Sequence, residues 1–134
     1  MEGVVVDTNV FVAAGFNPRS ASARLVEGIR EGRFRLIWNQ LTRRETEMIL
    51  RRIPHLDWHK AADLFRPEDE FTRPVDPAAF TLIADPDDRK FAALSAAAQA
   101  SLVTNDNLVL AQRGRLGIEI ATPRDFLARL ANKG

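Results

Sequence analysis

Short apolar runs alternate along the chain with segments of helical periodicity, and this alternation restricts the possible folds more than any other feature. The apolar runs are 4–6, 34–38, 101–104 and 118–121, with a weaker candidate at 70–75 that contains a proline. Short strands that are apolar throughout are typical of parallel sheets covered by helices on both faces. The sequence therefore predicts a three-layer α/β/α sandwich around a central parallel sheet of four or five strands.

The segments that separate these strands carry helix start and stop signals. We predict helices over 9–16, 22–32, 41–52, 57–65, 85–100 and 122–131, and a short helix from residue 105. Ser20 or Ser22, Asp57 and Asp85 are candidate N-caps, and Pro54 ends the helix over 41–52. No repeat or linker interrupts this order, so residues 1–134 are predicted to form one domain.

The composition excludes some classes of protein but does not indicate a function. The chain has 134 residues, a net charge of +1 and no cysteine, which excludes disulfides and thiolate metal sites. No apolar stretch approaches the ~20 residues that span a bilayer. The first residues enter a strand without a signal-peptide pattern. We therefore expect a cytoplasmic protein without a membrane-spanning segment.

Two acidic residues follow predicted strands. Asp7 ends the run Val-Val-Val, and Asp106 comes two residues after the strand 101–104. Ligand sites in open parallel sheets lie at the carboxyl ends of the strands, so both carboxylates are expected at one edge of the sheet. Each acid also has a simpler explanation as the N-cap of the helix that follows it.

Two more acids lie on helices that are expected to pack beside the sheet. Glu45 falls within a predicted apolar stripe that includes Leu41 and Met48, although pairing with a neighbouring arginine would also explain it. Asp88 stands in the segment Asp-Pro-Asp-Asp, where N-capping explains one acid but not three. The segment Thr-Pro-Arg-Asp, which ends at Asp125, has the same form with a single acid before the last helix.

Four carboxylates gathered at one sheet edge would repel one another unless a cation joined them. Their ligand atoms are all oxygen, which favours a hard divalent cation. Mg²⁺ typically binds one or two carboxylates and keeps several waters. The four acids therefore indicate a site at which a metal ion, a phosphate group and a hydrolytic water meet.

The order of these acids resembles that of the PIN-domain ribonucleases, a family that includes the toxins of many bacterial toxin–antitoxin pairs. The resemblance rests on the segments VVVDTNVFVAA, RRETEMILRR, DPDDRKFAAL and LVTNDNLVL, and IATPRDFL is similar to the closing strand and helix. It covers nearly the whole chain, and DPDD resembles one variant of the third segment. The chain departs from the family at Leu108, where many relatives carry a fifth acid, so one and two metal ions both stay open.

The resemblance implies a metal-dependent ribonuclease that hydrolyses RNA phosphodiester bonds, acting as the toxin of a toxin–antitoxin pair. Its Mg²⁺ or Mn²⁺ would be held by the catalytic acids Asp7, Glu45, Asp88 and Asp106. Polar positions that support the acids in the family correspond to Asn9 and Thr104. Three arginines near Glu45 are candidates for RNA backbone contacts: Arg43, Arg44 and Arg52. The family also implies an antitoxin partner and a homodimer.

Three other interpretations use parts of the same sequence. His55, His59 and Asp63 have the spacing of a zinc site on one helix face, but Pro54 places His55 outside the helix. A phosphoaspartate phosphatase requires a second Asp where this chain has Asn9, and a receiver domain requires a lysine after a late strand. A PIN-like module that binds RNA or a protein without cleavage is the alternative from a different class of function.

Overall fold

A computed structural model describes residues 1–133, and in that part of the chain four strands form one parallel sheet. The strands are β1 (Gly3–Val6), β2 (Arg35–Leu36), β3 (Ser101–Val103) and β4 (Ile120–Ala121). Their order in the sheet is β2–β1–β3–β4, and each neighbouring pair is parallel. The predicted parallel sheet is therefore confirmed.

Helices lie between successive strands and after the last strand. They are α1 (Thr8–Phe16), α2 (Ala21–Arg30), α3 (Gln40–Arg52), α4 (His59–Ala62), α5 (Arg89–Ala98), α6 (Asn107–Leu110) and α7 (Pro123–Lys133). Ser20 is the N-cap of α2, and its hydroxyl accepts a hydrogen bond from the backbone N–H of Ala23. None of the helices in residues 1–133 is both long enough and apolar enough to cross a lipid bilayer.

Two apolar cores lie on opposite faces of the sheet. Val4 and Val6 pack with residues from α1, α2, α3 and α7, whereas Val5 packs with residues from α5 and α6. Successive side chains of a strand point to opposite faces, so β1 contributes to both cores and is buried from both sides. This arrangement confirms the predicted three-layer α/β/α sandwich.

Several predicted elements differ from the observed ones. The candidate strand at 70–75 is wrong, because only an isolated bridge between Trp38 and Glu70 forms there. The pairing does not extend because α3 begins at Gln40, two residues after Trp38, so the partner segment ends there. The predicted helix at 57–65 is reduced to the single turn of α4. The predicted helix at 85–100 begins as a 3₁₀ turn, Pro86–Asp88, and continues as α5.

The buried face of α3 also differs from the prediction. The predicted stripe included Leu41 and Met48, but these side chains are 44% and 39% exposed. The buried residues of α3 are instead Thr42, Thr46 and Leu50. A buried threonine requires a hydrogen-bonding partner, and the Thr46 hydroxyl has one in Thr8 at 2.8 Å. The hydrophobic periodicity of α3 therefore placed Leu41 and Met48 incorrectly on its buried face.

Candidate active site

The carboxyl ends of β1 and β3 bring two of the predicted acids to one edge of the sheet. Val6 pairs with Val103 in register, and the backbone N–H of Asp7 donates to the carbonyl of Val103 at 3.0 Å. Asp7 is only 4% exposed. It occupies the N-cap position of α1, yet its side chain makes no capping hydrogen bond. Helix capping therefore does not account for this buried acid.

Thr104 and Asn9 hold the Asp7 carboxylate in place. The Thr104 hydroxyl donates to Oδ2 of Asp7 at 2.8 Å and accepts from the backbone N–H of Asp106 at 3.0 Å. Nδ2 of Asn9 lies 3.2 Å from the same Asp7 oxygen, while Oδ1 of Asn9 accepts from the backbone N–H of Asn105 at 3.1 Å. These contacts place Asn9 and Thr104 where supporting residues were predicted.

Asp106 has both of the roles considered for it. Its Oδ1 accepts from the backbone N–H of Leu108 at 2.8 Å, so it caps α6 as the simpler explanation required. Its charge also acts on Asp7 and on Asp88. Capping and participation in an acidic cluster are therefore compatible at this position.

Asp88 completes the cluster from the start of α5. The capping role in its segment belongs to Asp85, whose Oδ1 accepts from the backbone N–H of Asp87 at 3.0 Å. The pKa of Asp88 is raised from 3.8 to about 7, chiefly by partial burial and also by the charges of Asp7, Asp85 and Asp106. A hydrogen bond to Asp106 also favours the protonated form of Asp88.

Burial has the same effect on Asp7. The pKa of Asp7 rises from 3.8 to about 6, chiefly because its carboxylate is removed from water, and the charge of Asp106 adds to the rise. The hydrogen bond from Thr104 opposes the shift without cancelling it. Two carboxyl groups that resist ionisation side by side form a site in which a cation would be strongly stabilising.

A cleft of about 270 Å³ opens over these acids. It is lined by Asp7, Thr8, Asn9, Val12, Glu45, Ile49, Asp85, Asp87, Asp88 and Phe91. Three of the four predicted acids thus share one cleft, and Asp106, which does not line it, is electrostatically coupled to two of them. A larger cavity of about 670 Å³ lies at the amino ends of the strands and contains none of the predicted site residues.

Glu45 reaches the cleft but is held by a cation of the protein itself. Its Oε1 lies 3.2 Å from Nζ of Lys90, and only 10% of its side chain is exposed. The neighbouring Glu47 instead pairs with Arg43 and Arg51 along α3. Glu45 therefore faces inward as predicted, although its partner is neither a neighbouring arginine nor solvent.

Lys90 was not among the predicted site residues, although the sequence contains a signal for it. Lys90 precedes the buried residues Ala93 and Leu94 by three and four positions, so it shares their face of α5. A cation in that position requires an anionic partner inside the protein. Asp85 was predicted only as an N-cap and Asp87 was given no role, yet both line the cleft.

The predicted RNA-contacting arginines have different environments. Arg43 forms an ion pair with Glu47 at 3.3 Å, and its guanidinium lies 5.2 Å from the centre of the Trp58 ring. Arg44 and Arg52 are exposed and form no ion pair with any residue in 1–133. Arg52 lies seven residues after Glu45, hence on the same face of α3, whereas Arg44 is turned away by about 100°.

The acids fit a hard divalent cation only as a partly open site. Within residues 1–133, no three acidic or histidine side chains converge closely enough to form a ready-made metal cage. Mg²⁺ and Mn²⁺ nevertheless accept oxygen ligands, and Mg²⁺ commonly uses one or two carboxylates and fills its other positions with water. Asp7, Asp88 and Asp106 supply that ligand chemistry, and the raised pKa values of Asp7 and Asp88 indicate that a positive charge beside them would be favourable.

The zinc interpretation of His55 and His59 finds no support in the geometry. Both side chains are exposed, and the acid that would complete the set, Asp63, forms an ion pair with Arg30 at 3.0 Å. Asp57 caps the local turn by accepting from the backbone N–H of His59 at 2.9 Å. Within residues 1–133, these histidines are not part of any group of three or more side chains that could hold a metal ion.

The Thr104 hydroxyl provides a direct test of the supporting hydrogen bonds. Thr104→Val is expected to weaken Mn²⁺ binding roughly 10- to 100-fold, because Asp7 loses the donor that orients it. It should also lower the free energy of unfolding by about 1–3 kcal/mol. Calorimetric Mn²⁺ titration and urea denaturation measure the two effects, with Thr104→Ser as the variant that keeps the hydroxyl. Unchanged Mn²⁺ affinity in Thr104→Val would show that the hydroxyl has no supporting role.

Comparison with known proteins identifies the family. Residues 3–108 match a family model described as PIN domain, which covers most of the 134 residues. The chain therefore belongs to the PIN-domain family, whose members are typically nucleases that use Mg²⁺ or Mn²⁺. No curated protein and no solved structure matches the chain significantly.

Proposed function

We propose that this protein is a Mg²⁺- or Mn²⁺-dependent endoribonuclease that hydrolyses RNA phosphodiester bonds. The observation that carries the proposal is the clustering of Asp7 and Asp106, at the carboxyl ends of two adjacent strands, with Asp88 at the start of α5. The raised pKa values of Asp7 and Asp88 favour a positive charge beside them, which a bound divalent cation would supply. When bound, the metal ion supplies charge stabilisation to the phosphate and lowers the pKa of the attacking water.

The protein's own residues bind the ion, orient the acids and exclude competing contacts. Asp7 and Asp106 contribute carboxylates from strand ends, and Asp88 contributes one from the start of α5. Thr104 joins Asp7 to the backbone of Asp106 through one hydroxyl, so these two acids are fixed relative to each other. Such preorganisation reduces the reorganisation needed when charge develops on the phosphate.

Exposed arginines on α3 are proposed to contact the RNA backbone. Arg44 and Arg52 are free of ion pairs within residues 1–133, and Arg52 shares the face of α3 that carries Glu45. Arg43 is a weaker candidate, because Glu47 and Trp58 already engage it. Contacts of this kind position the substrate and confer little base specificity.

We also propose that the protein is the toxin of a toxin–antitoxin pair in the cytoplasm and forms a homodimer. Leu41 and Met48 support a protein partner, because both remain exposed on the part of α3 next to Glu45. Growth arrest on expression, relieved by co-expression of an adjacent gene, would support the toxin role. Growth unaffected by expression of an active nuclease would contradict it and favour RNA processing.

The proposed activity is tested by incubating purified protein with structured and single-stranded RNA in EDTA, in Mg²⁺ and in Mn²⁺. We expect cleavage with either metal, no cleavage in EDTA and recovery when Mn²⁺ is added back. Cleavage that persists in EDTA would contradict a metal-dependent mechanism. Absence of cleavage under all conditions, with RNA still bound, would favour the non-cleaving binding module.

Asp88→Asn and Asp125→Asn form a matched pair for this assay. Both acids lie in the first turn after a proline, but Asp125 is exposed and pairs with Arg113 at 3.4 Å, away from the cleft. Asp88→Asn is expected to lower the cleavage rate at least about tenfold, and Asp125→Asn should leave it unchanged. Equal rates in the two variants would remove Asp88 from the proposed site.

A further inference from the structure

The pairing of Glu45 with Lys90 divides the acidic cleft into two parts. Among the ion pairs formed by residues 1–133, this one has the least exposed pair of side chains, at 10% for Glu45 and 19% for Lys90. Its two members come from different sides of the cleft, Glu45 from α3 and Lys90 from α5. Two of the other acids, Asp7 and Asp88, have pKa values raised by burial and by neighbouring carboxylates, and Asp106 is one of those neighbours.

We propose that Lys90 is a positioning residue that acts as a permanent cation for Glu45, so that the site binds a single divalent ion on the side of Asp7, Asp88 and Asp106. Glu45 is then not a ligand of that ion. This inference rests on the proposed metal-dependent function and specifies how many ions the function uses.

The charge distribution of the cleft supports this role for Lys90. Five acids line the cleft, and no lysine or arginine is among the lining residues. Lys90 reaches one of these acids from just outside the lining, and its Nζ forms no other hydrogen bond within residues 1–133. A buried ion pair contributes little net stability after the cost of desolvation, so packing alone is a weak explanation for placing it here.

The ammonium group also opposes a second metal ion at Glu45. A divalent cation bound to Oε1 would lie close to Nζ, which is 3.2 Å from that oxygen, and like charges at such a separation repel strongly where water is scarce. The second ion would have to displace Lys90 from an enclosed position. The Asp7 side of the cleft presents no such competing cation.

The experiment counts the ions bound to protein stripped of metal, using Mn²⁺ alone as the probe. Calorimetry gives the affinity, and the electron paramagnetic resonance signal of free Mn²⁺ gives the number of ions bound per chain. Five proteins are compared: wild type, Lys90→Met, Lys90→Arg, Glu45→Gln and the double variant Lys90→Met/Glu45→Gln. Thermal melting verifies that each variant folds.

Wild type and Lys90→Arg are expected to bind one Mn²⁺ per chain. Glu45→Gln should still bind one ion, because Glu45 is not a ligand, although with a lower affinity because Lys90 is left without a counter-charge. Lys90→Met should bind a second ion, since Glu45 is released as an unpaired carboxylate. The double variant should return to one ion, because it lacks both the cation and the carboxylate.

Three results would overturn the inference while leaving the proposed function intact. They are two Mn²⁺ ions bound to the wild type, a loss of affinity of more than about tenfold in the double variant, which keeps the net charge of the pair, or a single ion in a folded Lys90→Met. Should Lys90→Met fail to fold, the affinity of the double variant still decides whether Glu45 is a ligand. A wild type that binds no Mn²⁺ would overturn both this inference and the proposed metal-dependent function.

Discussion

Replacing Asp7 with asparagine is expected to abolish RNA cleavage while making the metal-free protein more stable. Asparagine has nearly the same shape and can still accept the hydrogen bond from Thr104, but it carries no charge. The loss of an outer-shell partner already costs about 10- to 100-fold in metal affinity or activity, so loss of a charged ligand should exceed about 100-fold. Gel-based cleavage in Mn²⁺ measures this effect.

The stability gain has a separate physical cause. At about pH 7.5 the buried Asp7 carboxylate is ionised, although burial has raised its pKa from 3.8 to about 6. At 1.36 kcal/mol per pKa unit, this ionisation destabilises the folded protein by about 3 kcal/mol. Asp7→Asn removes that charge, so urea denaturation in EDTA should show a gain of this order. A variant that loses both activity and stability would indicate damage to the fold rather than loss of a ligand.

The stability of the metal-free protein is expected to decrease as the pH rises through the range in which Asp7 ionises. Its folded pKa of about 6 lies above its ordinary value of 3.8, so the folded state binds this proton more tightly than the unfolded chain does. The stabilising effect is complete below about pH 4 and is lost by about pH 7. Asp88, whose pKa is raised to about 7, acts in the same direction and extends the loss toward neutral pH.

Comparison of wild type with Asp7→Asn isolates this effect from the other carboxyl groups. Between about pH 4.5 and pH 7.5, wild type in EDTA should lose about 2 kcal/mol more than the variant, a difference on the order of 5 °C in melting temperature. Mn²⁺ should restore the stability of the wild type at the higher pH. It should have little effect on stability at the lower pH, where the acids are protonated. If the stability of the two proteins changed with pH in the same way, the pKa of Asp7 would not be raised in the folded protein.

The strands, several caps and the positions of the acids could be predicted because each depends on local sequence. A run of valines that ends in Asp7 specifies a buried strand with a polar terminus whatever the rest of the chain does. Ser20 and Asp85 cap their helices through contacts with residues two or three positions away. Asp7 and Asp106 meet because parallel strands place their carboxyl ends together.

The errors arose where a contact distant in sequence decides the outcome. The buried hydroxyl of Thr46 is hydrogen-bonded to the hydroxyl of Thr8, 38 residues away, and hydrophobic periodicity cannot anticipate such a pair. Glu45 was correctly expected to face inward, but its partner, Lys90, lies 45 residues further along the chain. The candidate strand at 70–75 had suitable residues but only one bridging partner, at Trp38. In each case the prediction used the sequence pattern of one segment, whereas the observed structure depends on a contact between two segments.

The hydrogen bond between Thr104 and Asp7 joins residues 97 positions apart. A nascent chain whose residues 101–106 are still inside the ribosome therefore lacks Asp106 and the Thr104 hydroxyl that holds Asp7. Pairing across such a separation also forms late in folding, after the local helices. If this protein cuts RNA, its nascent chain is inactive until residues 101–106 have left the exit tunnel.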